Sequence, residues 1–295
     1  MKQKRKAAKM KDKVLIFLTI FLAIIFPLSF FIEKRQNSVE TYETAFLNPK
    51  NENEIEKITL ESFDSTLILE NKDGFFTGGN SEKTYIFPAE QKSVKNLISV
   101  LKKVRKITKS ESSGEKLNEK NCDFRISYTL KSGKTTEILF GKTDITETKR
   151  FVKIPGKNEI FKTESDFEPF LTTSADFWVC PEIVWNPKSA ENLAEEIQKI
   201  SLVQDGKRKT LIPSAKDFSK KAETLLLLRH GKLCPLVETS ENSDFLEVEF
   251  ENNIFSVKII PAAEEFVLVY GNSGSNYAAE ISEWTRNRLN EIFSE

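Results

Sequence analysis

Two seven-residue stretches decide how this chain folds: Glu54-Ile55-Glu56-Lys57-Ile58-Thr59-Leu60 and Glu196-Ile197-Gln198-Lys199-Ile200-Ser201-Leu202. They are identical at five positions. Both are rich in isoleucine and leucine, which is typical of short β-strands. Each stretch opens one half of the chain. The recurrence predicts that one structural module is present twice.

The elements that follow each stretch come in the same order. A helical pattern covers residues 90–104 in the first half and 215–230 in the second, and a strand pair then covers 123–140 and 244–260. The first helix carries one apolar stripe at helical spacing, formed by Val94, Leu97, Ile98 and Leu101. Further strands and a helix close each half, which predicts a tandem duplication of an α+β module. The alternative is that any two α+β stretches look alike at this coarse level.

A charge-free stretch of nineteen residues, Val14–Ile32, precedes both halves. As a helix it is roughly 28 Å long, close to the hydrocarbon thickness of a bilayer. The leader before it holds seven basic residues and one acidic residue, so its N-terminal end is expected in the cytoplasm. We therefore predict a single-pass protein of the inner (cytoplasmic) membrane with an extracytoplasmic, periplasmic ectodomain. A cleaved signal peptide is the alternative, and the absence of an Ala-x-Ala pattern after the apolar run argues against it.

The predicted fold class is therefore α+β, with a single N-terminal transmembrane helix followed by two tandem, duplicated α+β modules whose sheets are mainly antiparallel. The predicted boundaries are a basic cytoplasmic leader at 1–13, the transmembrane helix at 14–32, a stalk at 33–53, a first module at 54–182, a linker at 183–195 and a second module at 196–295.

Charge and cysteine content exclude some classes of partner. Residues 14–295 carry 37 basic and 43 acidic groups, a net charge of about −6, so there is no basic footprint for nucleic acid. The three cysteines, Cys122, Cys180 and Cys234, are widely spaced and form no C-x-x-C pair. They make a poor disulfide framework and a poor metal site. One disulfide and three free thiols both stay open as alternatives.

One stretch suggests catalysis. Leu225–Gly231 ends in Arg-His-Gly, which looks like the signature of histidine phosphatases, but that mechanism needs a second histidine and His230 is the only one in the chain. We interpret the stretch instead as a helix end with cationic residues in its last turn and glycine beyond it. A lone histidine also argues against Ser-His-Asp and Cys-His catalysis and leaves a poor ligand set for zinc. We predict no catalytic, cofactor-binding or metal-binding residue, and no enzyme.

Aromatic residues are the remaining signal. Most of the 23 phenylalanines and three tryptophans are expected in the core. The densest apolar cluster beyond the N-terminal stretch lies at the joint between the two modules, and it is our predicted partner surface, formed by Phe177, Trp178, Ile183, Val184 and Trp185.

Several short motifs resemble a known family. They are I-x-x-I-T-L at 55–60, Asp-Gly-Phe-Phe at 73–76, Tyr-Ile-Phe-Pro-Ala at 85–89 opening a helix, Ile-Leu-Phe-Gly-Lys at 138–142, and the pair Phe-Val-Lys at 151–153 and Ile-Phe-Lys at 160–162. Over about residues 55–182 the chain resembles domain-of-unknown-function family 4340, and the second half does so only by analogy. The chain departs from the family where phenylalanine, at 75 or 76, replaces the common tryptophan.

The resemblance implies a membrane-tethered protein of the bacterial envelope, of a kind often encoded near ABC-type export or gliding-associated transport components. No catalytic residue is carried over. We expect a non-enzymatic, membrane-anchored accessory or scaffold component of an ABC-type transport complex, with integral-membrane transporter subunits as partners. The alternative is an ectodomain that binds a small molecule or an envelope polymer between its modules. A purely structural spacer is a third reading.

Overall fold

The computed structural model describes residues 21, 40–110, 117–144, 148–186, 193–239, 243–262, 265–271 and 275–294. Two antiparallel sheets dominate them, one of ten strands and one of seven.

The ten-stranded sheet has the spatial order β1-β6-β10-β9-β8-β7-β2-β3-β4-β5. Its strands are β1 (Thr41–Thr44), β2 (Ile55–Ser62), β3 (Thr66–Lys72), β4 (Phe75–Gly79), β5 (Ile86–Pro88), β6 (Arg105–Lys109), β7 (Phe124–Leu130), β8 (Thr135–Thr143), β9 (Lys149–Lys153) and β10 (Phe161–Glu164). Buried and half-buried residues alternate strictly along β7, because successive side chains of a strand point to opposite faces of the sheet.

The seven-stranded sheet has the spatial order β12-β11-β14-β15-β16-β17-β13. Its strands are β11 (Ile197–Gln204), β12 (Lys207–Leu211), β13 (Leu233–Cys234), β14 (Asp244–Phe250), β15 (Asn253–Ala262), β16 (Glu265–Tyr270) and β17 (Tyr277–Ile281). The described α-helices are α1 (Gln91–Lys102), α2 (Ala175–Trp178), α3 (Phe218–Leu226) and α4 (Glu283–Ile292). The stripe predicted on α1 is buried at all four positions.

The α+β prediction is wrong, because antiparallel strands carry most of the regular structure and the helices are few and short. The single-pass inner-membrane prediction is also not supported. No described helix is long and apolar enough to span a membrane; the longest, α1, has 12 residues and measures about 18 Å against a hydrocarbon core of about 30 Å. The predicted transmembrane segment 14–32 lies outside the described residues, except for Phe21.

The two sheets share one strand order. Seven strands of the first sheet, β3-β2-β7-β8-β9-β10-β6, match the whole of the second, β12-β11-β14-β15-β16-β17-β13. The two quoted stretches lie on β2 and β11, and each carries a register shift at the same place, between Ile55 and Lys57 and between Ile197 and Lys199. We call residues 41–164 the first repeat and residues 179–281 the second repeat.

One hydrophobic cluster contains side chains from both repeats, among them Ile58 of β2 and Ile200 of β11. The sheets therefore share a core. The division into modules at 54–182 and 196–295 stays a prediction. What the first repeat adds to the common seven strands is β1 at one edge and the β4–β5 hairpin at the other.

Candidate functional site

The predicted partner surface is mostly interior. Trp178, Ile183, Val184 and Trp185 are 0–7 % exposed, and only Phe177, at 38 %, reaches solvent. The indole Nε1 of Trp178 donates to the Thr172 carbonyl at 2.9 Å. Because four of the five side chains are buried, they are unavailable to a partner. The predicted partner surface is therefore wrong at these four residues.

A second repeated motif explains this burial. Phe46-Leu47-Asn48-Pro49-Lys50 leads into β2, and Val184-Trp185-Asn186-Pro187-Lys188 leads into β11. Phe46 and Leu47 are buried in the first repeat, as Val184 and Trp185 are in the second. The apolar cluster at the joint is therefore the core-forming start of the second repeat.

Residues 178–186, which open the second repeat and which we call the connector, are bonded through the backbone to the first repeat and to the rest of the second repeat. On one side, Cys180 N donates to Pro88 O at 2.8 Å and Glu90 N donates to Trp178 O at 2.7 Å. On the other side, Ile183 N donates to Leu228 O at 3.0 Å. The connector thus lies as an extended segment between the start of α1 and the residues that follow α3.

The residues after α3 correct a further prediction. The helix ends at Leu226, whereas Arg229 forms a β-bridge with Glu182 of the connector. The Arg-His-Gly stretch is therefore extended chain and not a helix end. His230, 8 % exposed, lies between the two segments.

The His230 ring lies between a carbonyl of the connector and that of its own neighbour in the chain. Its Nδ1 is 2.8 Å from the Gly231 carbonyl oxygen and its Nε2 is 2.9 Å from the Cys180 carbonyl oxygen. Carbonyl oxygens only accept, so a neutral imidazole donates to one of them and an imidazolium to both. Burial lowers the pKa of His230. The hydrogen bonds to the two carbonyls act in the opposite direction, but the effect of burial is larger. Since both ring nitrogens face backbone oxygens, His230 is placed to hold structure.

The two repeats differ in the segment that covers the strand after the helix, which is β1 in the first repeat and the connector in the second. Four residues before the asparagine of each Asn-Pro-Lys motif, Thr44 pairs with Arg105 and Glu182 pairs with Arg229. In the first repeat β1 continues along β6 for four residue pairs, as far as Thr41 with Thr108. In the second repeat the connector turns away, and Val179 bridges Ala89.

The divergence leaves an open groove of about 430 Å³ along β13. We call it the joint groove, and it is lined by Thr84, Tyr85, Ala175, Leu233, Cys234, Pro235, Leu236, Tyr277 and Ala278. Its first-repeat wall is fixed by two hydrogen bonds between the Ile86 and Asn276 backbones, at 3.0 and 2.8 Å. Beyond β13 the chain continues as Pro235–Thr239 without regular structure, and Leu236 is 45 % and Val237 is 36 % exposed.

Two stacked tyrosines lie beside the groove. Tyr270 and Tyr277 face each other across β16 and β17 with ring centroids 4.1 Å apart and ring planes 6° from parallel. The Tyr270 hydroxyl donates to the Ile183 carbonyl at 3.1 Å. The Tyr277 hydroxyl is buried beside the Tyr270 hydroxyl and the Trp185 indole N–H, and both neighbours influence its pKa. Burial raises the pKa of both phenols.

The structure also brings together three side chains that the sequence does not connect. Glu90, which caps α1, and Cys180 and Glu182 of the connector place their ligand atoms within 4.8 Å of one another. The Cys180 thiol donates to Glu182 Oε2 at 3.1 Å. Burial is the main cause that raises the pKa of this thiol well above its usual value, and the nearby Glu182 carboxylate raises it further. All three cysteines are free.

The chain belongs to the family described as Domain of unknown function (DUF4340), whose model matches residues 80–252, more than half of its length. The family predicted from the sequence is thereby confirmed. The match runs from the turn before β5 to the end of the β14 hairpin strand, so it contains the connector and most of the joint groove. No curated protein matches the chain.

Proposed function

We propose that this chain is a non-enzymatic binding module, an accessory component of an ABC-type transport complex, that holds an extended segment of a partner protein in the joint groove. The groove lies beside the short edge strand β13, and extended peptides bind proteins by adding a strand to such an edge. The partner segment we expect is a β-strand of four to six residues, with apolar side chains at alternate positions.

The observation that carries the proposal is the comparison of the two repeats. In the first repeat, the edge corresponding to the groove is covered by β1, which pairs with β6 over four positions. In the second repeat the connector covers residues 228–230, through the Glu182–Arg229 bridge and the bond from His230 N–H to Pro181 O. It does not pair along β13, where the Leu233 N–H donates to Asp176 Oδ1 at 2.7 Å. An added strand would complete the second repeat in the way that β1 completes the first.

The lining of the groove fits such a strand. Apolar side chains, among them Leu236, Ala278 and the ring of Tyr85, line it. They would take the alternate side chains of an incoming strand, since successive side chains of a strand point to opposite faces. The exposed Val237 extends the apolar edge.

The remaining parts of the proposal rest on other support. The transport role is supported by the family resemblance, which implies that such proteins are often encoded near ABC-type transport components. The non-enzymatic role is supported by the only histidine of the chain, His230, whose ring nitrogens both face backbone carbonyls.

A second candidate function is the binding of a small apolar molecule. The groove volume of about 430 Å³ falls within the range of about 300–1,000 Å³ that small-molecule sites occupy. Native mass spectrometry of the purified full chain separates the two, because a bound molecule of a few hundred daltons would favour this second candidate.

The test is a quantitative pull-down of the tagged full chain. The cells express this chain together with an ABC transporter of the same cells, and their membranes are solubilised in mild detergent first. Leu236→Glu puts a charge in the groove at an already exposed position. Ile254→Glu, at a position 55 % exposed on β15, is the matched control. We expect transporter subunits with the wild type and the control, and at least a tenfold loss with Leu236→Glu, equivalent to about 1.4 kcal/mol. Equal recovery with all three proteins would overturn the proposal.

A further inference from the structure

The strand β12 forms the edge of the seven-stranded sheet that lies opposite to β13 and the joint groove. Among the described strands it pairs with β11 alone. In an antiparallel pair, alternate residues direct their backbone N–H and C=O groups away from the partner strand. The outer side of β12 therefore offers backbone groups to which a further strand can pair.

The first repeat has a further strand at the corresponding edge. Ile58 of β2 pairs with Leu69 of β3. The counterpart of Ile58, which is Ile200 of β11, pairs with Leu211 of β12, so β12 corresponds to β3. In the first repeat β4 pairs with β3 at Leu69 and its neighbours. The seven-stranded sheet has no described counterpart of β4, and the edge is open at Leu211.

The open edge is basic. Lys207, Arg208 and Lys209 are consecutive on β12, and all three are exposed. Arg208 pairs with Glu247 at 3.2 Å, whereas Lys207 and Lys209 form no ion pair with any described residue. These two lysines are two residues apart, so their side chains lie on one face of the sheet, together with that of Leu211.

A second copy of the same edge fits poorly against β12. Antiparallel pairing of two β12 strands would bring two sets of cations together, and like charges opposite one another on neighbouring strands are destabilising. Lysines on an edge strand commonly prevent such pairing. Opposite charges on neighbouring strands are stabilising. The chemistry that complements this edge is therefore that of an acidic strand.

We propose that β12 binds an extended acidic segment of a partner protein as a further antiparallel strand. The segment carries acidic residues at two alternate positions, opposite Lys207 and Lys209, and an apolar residue at the next alternate position, opposite Leu211. Ile212, which is 47 % exposed, extends the apolar end of the site. Backbone hydrogen bonds supply affinity in this mode of binding, and the alternate side chains supply specificity. The site does not depend on the function proposed for the joint groove.

The experiment measures the binding of a labelled synthetic peptide, Thr-Val-Thr-Glu-Thr-Glu-Thr, to the full chain by fluorescence anisotropy. The reference peptide has glutamine in place of both glutamates. At low ionic strength we expect the acidic peptide to bind about tenfold more tightly than the reference peptide, and added salt should reduce this preference. Hydrogen exchange of the β12 backbone should slow when the acidic peptide is bound, because the outer N–H groups become hydrogen-bonded.

A double variant tests the two lysines directly. Lys207→Gln combined with Lys209→Gln should bind the two peptides equally. The matched control is Lys131→Gln combined with Lys134→Gln, which removes two exposed lysines between β7 and β8 and should keep the wild-type preference. All four positions are exposed, so both variants should fold as the wild type does.

Three results would overturn the proposal. They are equal affinity of the wild type for the two peptides, binding of neither peptide, and an unchanged preference for the acidic peptide in the variant at Lys207 and Lys209. Binding of neither peptide would show that the lysines only protect the edge from pairing.

Discussion

The two repeats have the same strand order, yet the edge strand that follows the helix is covered differently in each, at β6 in the first repeat and at β13 in the second. In the first repeat β6 lies between β10 and β1, so both of its edges are paired. In the second repeat β13 pairs with β17, its Leu233 N–H donates to the Asp176 carboxylate, and the connector crosses to bridge Ala89 of the first repeat. The same departure joins the repeats and opens the joint groove. We therefore attribute the groove to the different path of the connector in the second repeat.

The largest expected effect tests whether the connector belongs to the core. Trp185→Ala should destabilise the protein by about 3–5 kcal/mol and its first-repeat counterpart Leu47→Ala by about 2–5 kcal/mol, because both side chains are buried and their removal leaves cavities. Urea unfolding followed by circular dichroism measures both. A stable Trp185→Ala protein would restore the tryptophan as a partner surface and break the match between the repeats.

The next effect compares the two matched arginines. The Arg105 side chain is 2 % exposed, lies over the Phe167 ring at 4.1 Å, and pairs with Asp166 at 2.5 Å, whereas Arg229 is 68 % exposed beside Glu182. Removing one partner of a buried pair costs about 3–5 kcal/mol, and an exposed pair contributes about 0–1 kcal/mol. Because Asp166 is 26 % exposed, we expect about 3 kcal/mol for Arg105→Met and under about 1 kcal/mol for Arg229→Met. Similar losses of unfolding free energy would contradict the account.

A smaller effect concerns the hairpin that only the first repeat has. A Cβ at Gly79 on β4 would lie 2.6 Å from the Tyr85 carbonyl oxygen, so Gly79→Ala must shift the wall of the groove. We expect a loss of about 1–3 kcal/mol in the free energy of unfolding and weaker retention of transporter subunits. Unchanged retention despite the lower stability would show that the Tyr85 wall does not contact the partner.

The smallest effect is a pH dependence from His230 in the second repeat. Burial lowers its pKa in the folded protein below the ordinary value near 6.5, so the unfolded chain takes up the proton first as the pH falls. The stability contribution is complete above about pH 6.5 and is lost as the pH falls toward the lowered pKa of the folded state. The Tm of the wild type should decrease more between pH 8 and pH 5.5 than that of His230→Gln. An identical pH profile for the two proteins would contradict this.

Sequence patterns predict the parts of the fold that follow local rules. The two quoted stretches lie on β2 and β11, and the apolar stripe at positions 94, 97, 98 and 101 is the buried face of α1. The hairpin β7–β8 also follows from its alternation and its turn at Ser132-Gly133.

Other parts depend on contacts between distant residues. The strands β12 and β13 are short or polar, and β13 is only two residues long. Sequence alone does not show that Trp185 occupies the place of Leu47, although the repeated Asn-Pro-Lys is a signal that could have revealed it. The joint groove takes residues from positions 84 to 278, so no local pattern predicts it. The same is true of Glu90 beside Cys180.

The most direct test of the added strand is site-specific photo-cross-linking in cells, followed by mass spectrometry of the joined peptides. A photoreactive phenylalanine analogue replaces Leu236 in the full chain, and the same analogue at Ile254 is the control. We expect the analogue at position 236 to cross-link to one short segment of a transporter subunit, whereas the analogue at position 254 should not. Cross-links from position 236 that are absent, or that match those from position 254, would contradict the claim that the groove receives a partner strand.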